Sequence, residues 1–148
     1  MTSWLFVLLL LGTRLPWNEQ AIGQMRHIRV KTYHNFTLDS RPFAIAFDGK
    51  VIHWYPVIGS DIMGDVVHES QHYLASKHGM GHTDWDKFAK VAIRALRDGN
   101  YQKEQVLDAK YMLTYGGHEL HAELPWIVKG DIPSCLAPWY PWFHFEGQ

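Results

Sequence analysis

The chain carries the run His68-Glu69-Ser70-Gln71-His72 near its middle. On an α-helix, residues four positions apart project from one face, about one turn from each other. The surrounding sequence predicts such a helix, because Ser60 or Asp61 can cap its start and Gly79 can stop it. Both imidazoles of the run can therefore reach one metal ion.

Glu69 is placed to act on a water molecule at that metal. It follows His68 by about 100° around the helix, so its carboxylate can lean over the metal without becoming a ligand. Zinc lowers the pKa of a water that it binds to about 7, and the carboxylate can take the proton as the water attacks a peptide carbonyl. The motif therefore predicts a zinc-dependent metallopeptidase with His68 and His72 as Zn²⁺ ligands and Glu69 as the general base.

The composition narrows the classes of protein to which the chain can belong. Its 148 residues are 47% hydrophobic and 20% charged, which is typical of a single folded domain. The formal net charge of -1 argues against a nucleic-acid partner, because no net positive field draws the chain toward phosphates. Cys135 is the one cysteine, so an internal disulfide and a thiolate-cluster zinc site are excluded, and a metal must be bound by histidine and carboxylate.

The N-terminal residues differ in character from the rest of the chain. Residues 4–11 form an apolar run that is shorter than the roughly 20 residues of a membrane-spanning helix. A secretion signal would begin with basic residues, and the nearest small-residue cleavage pattern, Ala21 to Gly23, lies far beyond the run. We expect residues 1–24 to be an N-terminal apolar extension, with an anchor, a signal and a misassigned start before Met25 as open alternatives.

The segment before the motif predicts a small antiparallel sheet. Residues 27–36 alternate loosely between polar and apolar side chains, which fits one strand. Residues 43–47 and 51–55 are rich in β-branched and aromatic side chains, and the Asp48-Gly49-Lys50 turn between them favours a hairpin. We expect residues 51–55 to form the edge of this sheet.

The sequence after the motif predicts three further helices and an aromatic C-terminal tail. Thr83 can open the first helix, residues 102–113 fit the second, and residues 118–128 fit the third. Pro125 is a problem inside the third helix, because proline cannot donate a backbone hydrogen bond. The fold class that we expect is α+β, a single domain over residues 25–148 with a small antiparallel sheet followed by helices.

A catalytic zinc needs a third protein ligand and one open position. The run His118-Glu119-Leu120-His121-Ala122-Glu123 offers imidazoles and carboxylates on the last predicted helix. With this run the chain resembles the gluzincin metallopeptidases, especially the compact minigluzincins and similar His-Glu-x-x-His proteins of phage genomes. In that group a later helix carries Glu-x-x-Ala, and its glutamate is the third zinc ligand. The resemblance covers about residues 43–128.

The resemblance implies a zincin-like fold and a full set of site residues. It implies Glu119 as the third ligand, Ala122 packed closely against the motif helix, and Glu123 as an acceptor that orients a zinc histidine. Glu119 and Glu123 lie one helical turn apart, so they could exchange these roles. The resemblance also implies a peptide or protein substrate that pairs with the sheet edge as an extended strand.

His78 is the alternative third ligand. Metzincins extend the motif through a glycine to a third histidine, and His78 stands in that register with Ala75 in place of the glycine. In a straight helix His78 would lie about 15 Å along the axis from His68, so it can bind the same ion only if the chain bends near Ala75. Alanine disfavours the left-handed bend that glycine permits, and we therefore favour Glu119 over His78.

Catalytic status and the oxyanion donor stay open at the level of sequence. The chain could bind zinc for folding or for interaction without catalysis, as a protein derived from a phage or a mobile element. A hydrogen-bond donor commonly stabilises the oxyanion of acyl transfer, and the candidates are His82, His118, His121, Tyr111 and Tyr115. We expect a cytoplasmic protein, with a membrane-anchored or secreted one as the alternative, and membrane association only through residues 4–11.

Overall fold

The computed structural model describes residues 15–25, 28–32, 45–54 and 62–146 of the chain. In chain order the elements are α1 (Glu19–Met25), β1 (Arg29–Thr32), β2 (Ile45–Phe47), β3 (Val51–Trp54), α2 (Ile62–Lys77), α3 (His82–Asp98), α4 (Lys103–Leu113), α5 (Gly117–Ile127) and a 3₁₀ helix (Ser134–Trp139). The prediction of an α+β chain with a small sheet before its long helices is confirmed.

The strands β2 and β3 form the predicted hairpin. They pair antiparallel, and Oδ1 of Asp48 accepts hydrogen bonds from the backbone N–H groups of Lys50 and Val51, both at 2.9 Å. Gly49 has a φ of 94° in this turn, a conformation that glycine adopts without a steric penalty. The turn residues therefore set the hairpin where the Asp-Gly pair predicted it.

The sheet is mixed, so the prediction of an antiparallel sheet is wrong. Its strand order is β1-β3-β2, and β1 pairs parallel with β3. Side-chain alternation identifies a strand, but it does not encode the direction in which a distant strand pairs with it. The expectation that residues 51–55 form the sheet edge is also wrong, because β3 lies between the other two strands and β2 is an outer strand of the described sheet.

The helix α2 carries the motif without interruption from Ile62 to Lys77. The chain leaves the helix at Gly79, whose φ is 70°. The backbone N–H of Met80 then reaches back to the carbonyl oxygen of Ala75 at 3.1 Å, which closes the end of the helix. The left-handed residue is thus the glycine predicted to end the helix, and Ala75 stays within the regular helix.

The helices α2 and α5 pack against each other more extensively than the other described helices do. Val67 and Leu74 of α2, and Leu120 and Leu124 of α5, have no exposed surface. Burying a leucine or valine side chain stabilises a fold by about 1.5–3 kcal/mol before the entropy of ordering is counted. This apolar contact fixes the distance between the two helices, and the polar residues of both helices lie at its margin.

Pro125 lies inside α5 without ending the helix. Its ring nitrogen has no hydrogen for the carbonyl oxygen of His121, one turn earlier. The hydroxyl of Tyr140 donates to that oxygen at 2.8 Å. The tail therefore replaces the hydrogen bond that proline removes, and the helix runs on to Ile127.

The C-terminal segment packs on the helices as an aromatic layer. Tyr140, Trp142 and Phe143 are buried, and the indole N–H of Trp142 donates to the side-chain oxygen of Gln71 at 2.8 Å. The segment before α1 joins the same layer, because the ring centroids of Trp17 and Phe143 lie 4.7 Å apart. The aromatic tail thus contacts both the motif helix and the N-terminal segment.

Residues 15–25 contribute to the same core. Leu15, Ala21 and Met25 are buried, and Asn18 caps α1 by accepting the backbone N–H of Ala21 at 2.8 Å. Among the described residues, no helix is both long and apolar enough to cross a membrane. Residues 1–14, with the apolar run, lie outside the described residues, and their role as an anchor, a signal or a misassigned start stays a prediction.

We expect Gln71→Leu to destabilise the domain through Trp142. Both side chains are buried, so the substitution leaves the indole N–H without its acceptor and should lower the free energy of unfolding by about 1–3 kcal/mol. Urea denaturation measures this loss. In a Trp142→Phe background the same substitution should cost much less, because no donor is then left unpaired. Equal losses in the two backgrounds would contradict this explanation.

Candidate metal centre

The helices α2 and α5 bring three of the predicted site residues together. Nε2 of His68 lies 3.0 Å from Oε2 of Glu119, and Nε2 of His72 lies 2.9 Å from Oε1 of the same carboxylate. The two Nε2 atoms are 3.1 Å apart. The ligand atoms of this group all lie within 4.8 Å of one another, so the group could hold a metal ion.

The spacing and the chemistry of this group suit a divalent ion such as zinc. Tetrahedral zinc with bonds of roughly 2.0–2.1 Å holds its ligand atoms about 3.3 Å apart. Here the two Nε2 atoms are 3.1 Å apart, and each lies 2.9 or 3.0 Å from its own oxygen of the Glu119 carboxylate, which is close to that spacing. Two imidazoles and a glutamate are also a ligand set of known catalytic zinc sites. The three side chains are only partly buried, so solvent can reach the group.

Glu123 lies behind His68, at the other ring nitrogen. Its Oε2 is 2.6 Å from Nδ1 of His68. A carboxylate at Nδ1 favours a hydrogen on that nitrogen, which leaves the Nε2 lone pair of a neutral imidazole directed at the group. Glu119 faces the Nε2 atoms of both motif histidines. The two glutamates therefore lie on different sides of His68, Glu119 at Nε2 and Glu123 at Nδ1.

When no metal is bound, His68 carries the positive charge of the group. Burial disfavours its charged form, but hydrogen bonds to Glu119 and Glu123 outweigh this effect and raise its pKa to about 10. Burial also disfavours the charged form of Glu119, and the imidazoles of His68 and His72 overcome it and hold the pKa of that carboxyl well below its usual range. A metal ion must therefore displace the proton of His68, so metal binding by this group releases a proton near neutral pH.

Glu69 points from α2 toward the sheet. Only 8% of its surface is exposed. Burial raises its pKa to about 7, and the charges of Glu119 and Asp65 add to the rise against the opposing effect of His68. The backbone N–H of Phe47 donates a hydrogen bond to its carboxylate. Glu69 is thus a buried carboxylate beside the group, able to change protonation near neutral pH.

The register of the hairpin explains why Phe47 can reach Glu69. The backbone N–H of Asp48 donates to the carbonyl oxygen of Val51 across the turn, and hydrogen-bonded and non-hydrogen-bonded pairs alternate along an antiparallel ladder. Phe47, opposite Ile52, therefore directs its N–H away from β3. The outer edge of β2 faces the candidate centre, a feature that the sequence analysis did not predict.

The structure brings Glu119, and not His78, to the motif histidines. The backbone N–H of His78 donates to the carbonyl oxygen of Leu74, so the helical path is kept up to that residue. Its ring lies 5.3 Å from the ring of Trp142. Ten residues of helix correspond to about 15 Å of axial rise between His68 and His78. The physical reason is the one given by the sequence: Ala75 continues the helix where a metzincin bends.

The candidate oxyanion donors differ in their burial and in their distance from the group. His121 is buried and stacks on a tyrosine ring at 4.4 Å, and burial lowers its pKa to about 3. Tyr111 and Tyr115 are exposed, with their hydroxyl oxygens 2.8 Å apart, and His82 is exposed at the start of α3. His118 lies beside the group, with its Nε2 3.4 Å from Oε1 of the shared carboxylate.

Two adjacent glycines place the helix that carries Glu119. Gly116 has a φ of 123°, which the chain uses to turn from α4 into α5. A Cβ on Gly117 would lie 2.6 Å from the carbonyl oxygen of Trp85, so only glycine lets α5 begin this close to α3. The predicted helices, over residues 102–113 and 118–128, gave these two glycines no role in the site. Their position immediately before a predicted ligand was the signal that could have identified them.

Comparison of the chain with protein-family models, with curated proteins and with solved structures gives no match. The resemblance to gluzincins therefore stays a prediction from the two motifs.

We expect Gly117→Ala to weaken zinc binding although it alters no ligand. The added methyl group must push α5 away from α3, and this shift moves Glu119 relative to His68 and His72. Changes just outside a metal's ligand set typically cost about 10–100-fold in affinity, and competition against a fluorescent zinc indicator measures the loss. Gly23→Ala is the matched control, because a Cβ there meets nothing within 4 Å. A folded Gly117→Ala protein with unaltered zinc affinity would show that this contact does not position Glu119.

Proposed function

We propose that this protein is a zinc-dependent metallopeptidase of the gluzincin type, with His68, His72 and Glu119 as zinc ligands and Glu69 as general base. One observation carries the proposal: the carboxylate of Glu119, from a distant helix, lies within 3.0 Å of Nε2 of both motif histidines. A five-residue motif can arise by chance. A third protein ligand is a separate requirement of a catalytic zinc site, and the position of Glu119 supports that role.

In the proposed mechanism, the residues around the centre have different roles. Bound zinc supplies a water ligand of lowered pKa and polarises the carbonyl group of the peptide bond. Glu69 accepts the proton of the attacking water and donates it to the leaving amide nitrogen. Burial raises its pKa to about 7 in the metal-free group, and a carboxyl group whose pKa is raised in this way can both accept and release a proton. Glu123 holds the Nδ1 hydrogen of His68 and so keeps Nε2 for the metal.

The outer edge of β2 is the place where we propose that the substrate binds. A peptide in extended conformation can add to an outer strand through backbone hydrogen bonds. The N–H of Phe47 on this edge already reaches the carboxylate of Glu69, so a strand that is added here runs past the general base. This placement supports a peptide or protein substrate.

A second candidate function is zinc binding without catalysis. It is favoured by His118, whose Nε2 lies 3.4 Å from Glu119. A third imidazole on the ion would fill the position that a catalytic site keeps open and would give a closed, structural site.

We expect Glu69→Gln to abolish peptide hydrolysis and to leave zinc binding intact. The amide cannot accept a proton, and general-base catalysis typically contributes about 100- to 10,000-fold to the rate. Mass spectrometry of a denatured casein digest measures hydrolysis, and metal analysis measures the zinc content. Glu104→Gln makes the same change on an exposed residue of α4 and should retain full activity. Equal hydrolysis by wild-type protein and Glu69→Gln would exclude this mechanism, and absence of hydrolysis in both would favour the non-catalytic candidate.

A further inference from the structure

His118 is the imidazole beside the centre to which the proposed mechanism gives no task. It lies in the first turn of α5, directly before Glu119. Its Nε2 is 3.4 Å from Oε1 of Glu119, and its ring centroid is 6.0 Å from that of His72. About half of its side chain is exposed, with 51% of the surface open to solvent. The ring is therefore at the rim of the group, with one edge turned inward.

Gly116 determines the direction of this ring. A Cβ at Gly116 would lie 2.8 Å from Cε1 and 2.9 Å from Nδ1 of His118. The ring thus packs directly against the backbone of Gly116, where a side chain would collide with it. Gly116 also has a φ of 123°, a conformation that residues other than glycine rarely adopt. With Nδ1 against the glycine, Nε2 is the nitrogen that faces Glu119. The exposed ring is therefore held toward the carboxylate by local structure.

The hydrogen-bond partners of Glu119 must change when a metal binds. In the metal-free group, Oε2 faces Nε2 of His68 and Oε1 faces Nε2 of His72 and, less closely, Nε2 of His118. An imidazole nitrogen that binds a metal uses its lone pair and carries no hydrogen. His68 and His72 can then no longer donate to the carboxylate. His118 is left as the imidazole of the cluster with an N–H for Oε1.

We propose that His118 is a positioning residue for Glu119: it donates its Nε2 hydrogen to Oε1, holds the carboxylate in the orientation that faces the metal, and is not itself a ligand. The inference rests on zinc binding by the proposed centre. The geometry separates His118 from the ligands, because the described group with mutual distances below 4.8 Å contains His68, His72 and Glu119 without it. The 3.4 Å distance from its Nε2 to Oε1 of Glu119 would suit a pair of ligands, since ligand atoms of tetrahedral zinc lie about 3.3 Å apart, but a fourth ligand must approach both motif nitrogens as well. The fourth position then stays open, which catalysis requires.

Zinc affinity tests this role in a way that does not depend on activity. We expect His118→Ala to lower the affinity for zinc about 10-fold, the smaller effect typical of a group that orients a ligand. His118→Gln should recover most of the loss, because the glutamine amide can donate from a similar distance. His78→Ala, which removes an exposed histidine from the turn that follows the motif helix, should bind zinc like the wild-type protein. Competition with a fluorescent zinc indicator gives all four affinities.

Long-range ¹H–¹⁵N NMR spectra of the zinc-loaded wild-type protein separate the two roles of His118. We expect zinc-shifted Nε2 signals for His68 and His72, and an Nε2 that still carries hydrogen for His118. A zinc-shifted nitrogen in His118 would overturn the inference in favour of a closed site. Unchanged affinity in His118→Ala, in a protein that binds zinc, would overturn the inference alone. A wild-type protein that binds no zinc would overturn the proposed function, and the inference with it.

Discussion

The carboxylate of Glu119, shared between two imidazoles of another helix, is the contact on which the rest of the structure depends. It joins α2 to α5 where Glu69 and Glu123 also lie, so three carboxylates and two histidines occupy a partly buried volume. Charges in such a place are stable only when they compensate one another. Without a metal, the positive charge comes from His68, whose pKa is raised to about 10. A divalent ion between the same nitrogens and oxygens would supply more positive charge and release that proton.

The packing around this contact holds the two helices at a fixed separation. Trp142 donates a hydrogen bond to the side chain of Gln71 on α2, and Tyr140 donates one to the backbone of His121 on α5. The C-terminal segment therefore contacts both helices and holds them together. The close approach of Gly117 to α3 fixes the start of α5 from another side. A carboxylate that must face two nitrogens within a few tenths of an ångström needs such support, because a small helix shift would separate the ligand atoms.

Local features of the fold were predictable, and long-range pairings were not. The spacing of His68 and His72, the end of α2 at Gly79 and the hairpin at Gly49 each follow from a few neighbouring residues. The parallel pairing of β1 depends on contacts between distant segments, which the alternation of side chains does not specify. The same limit applies to the outer edge of β2, which reaches the candidate site only after the sheet has formed.

The residues of the candidate site also differ in whether local sequence could predict them. The choice of Glu119 over His78 followed from the preference of Ala75 for a right-handed helix, which is a local property. Spacing alone did not distinguish Glu119 from Glu123, because one helical turn leaves both on the same face, and only the position of α2 shows which of them faces both Nε2 atoms. His118 and His121 also look alike in sequence. The aromatic tail buries His121 and leaves His118 at the rim of the centre.

Zinc-edge anomalous diffraction from crystals grown with one equivalent of zinc tests the central claim most directly, because it locates the ion independently of any assay. We predict a single peak between α2 and α5, bonded to Nε2 of His68, Nε2 of His72 and a carboxylate oxygen of Glu119. Crystals that show no peak at this position, or a peak bonded to one motif histidine without the other, would contradict the account.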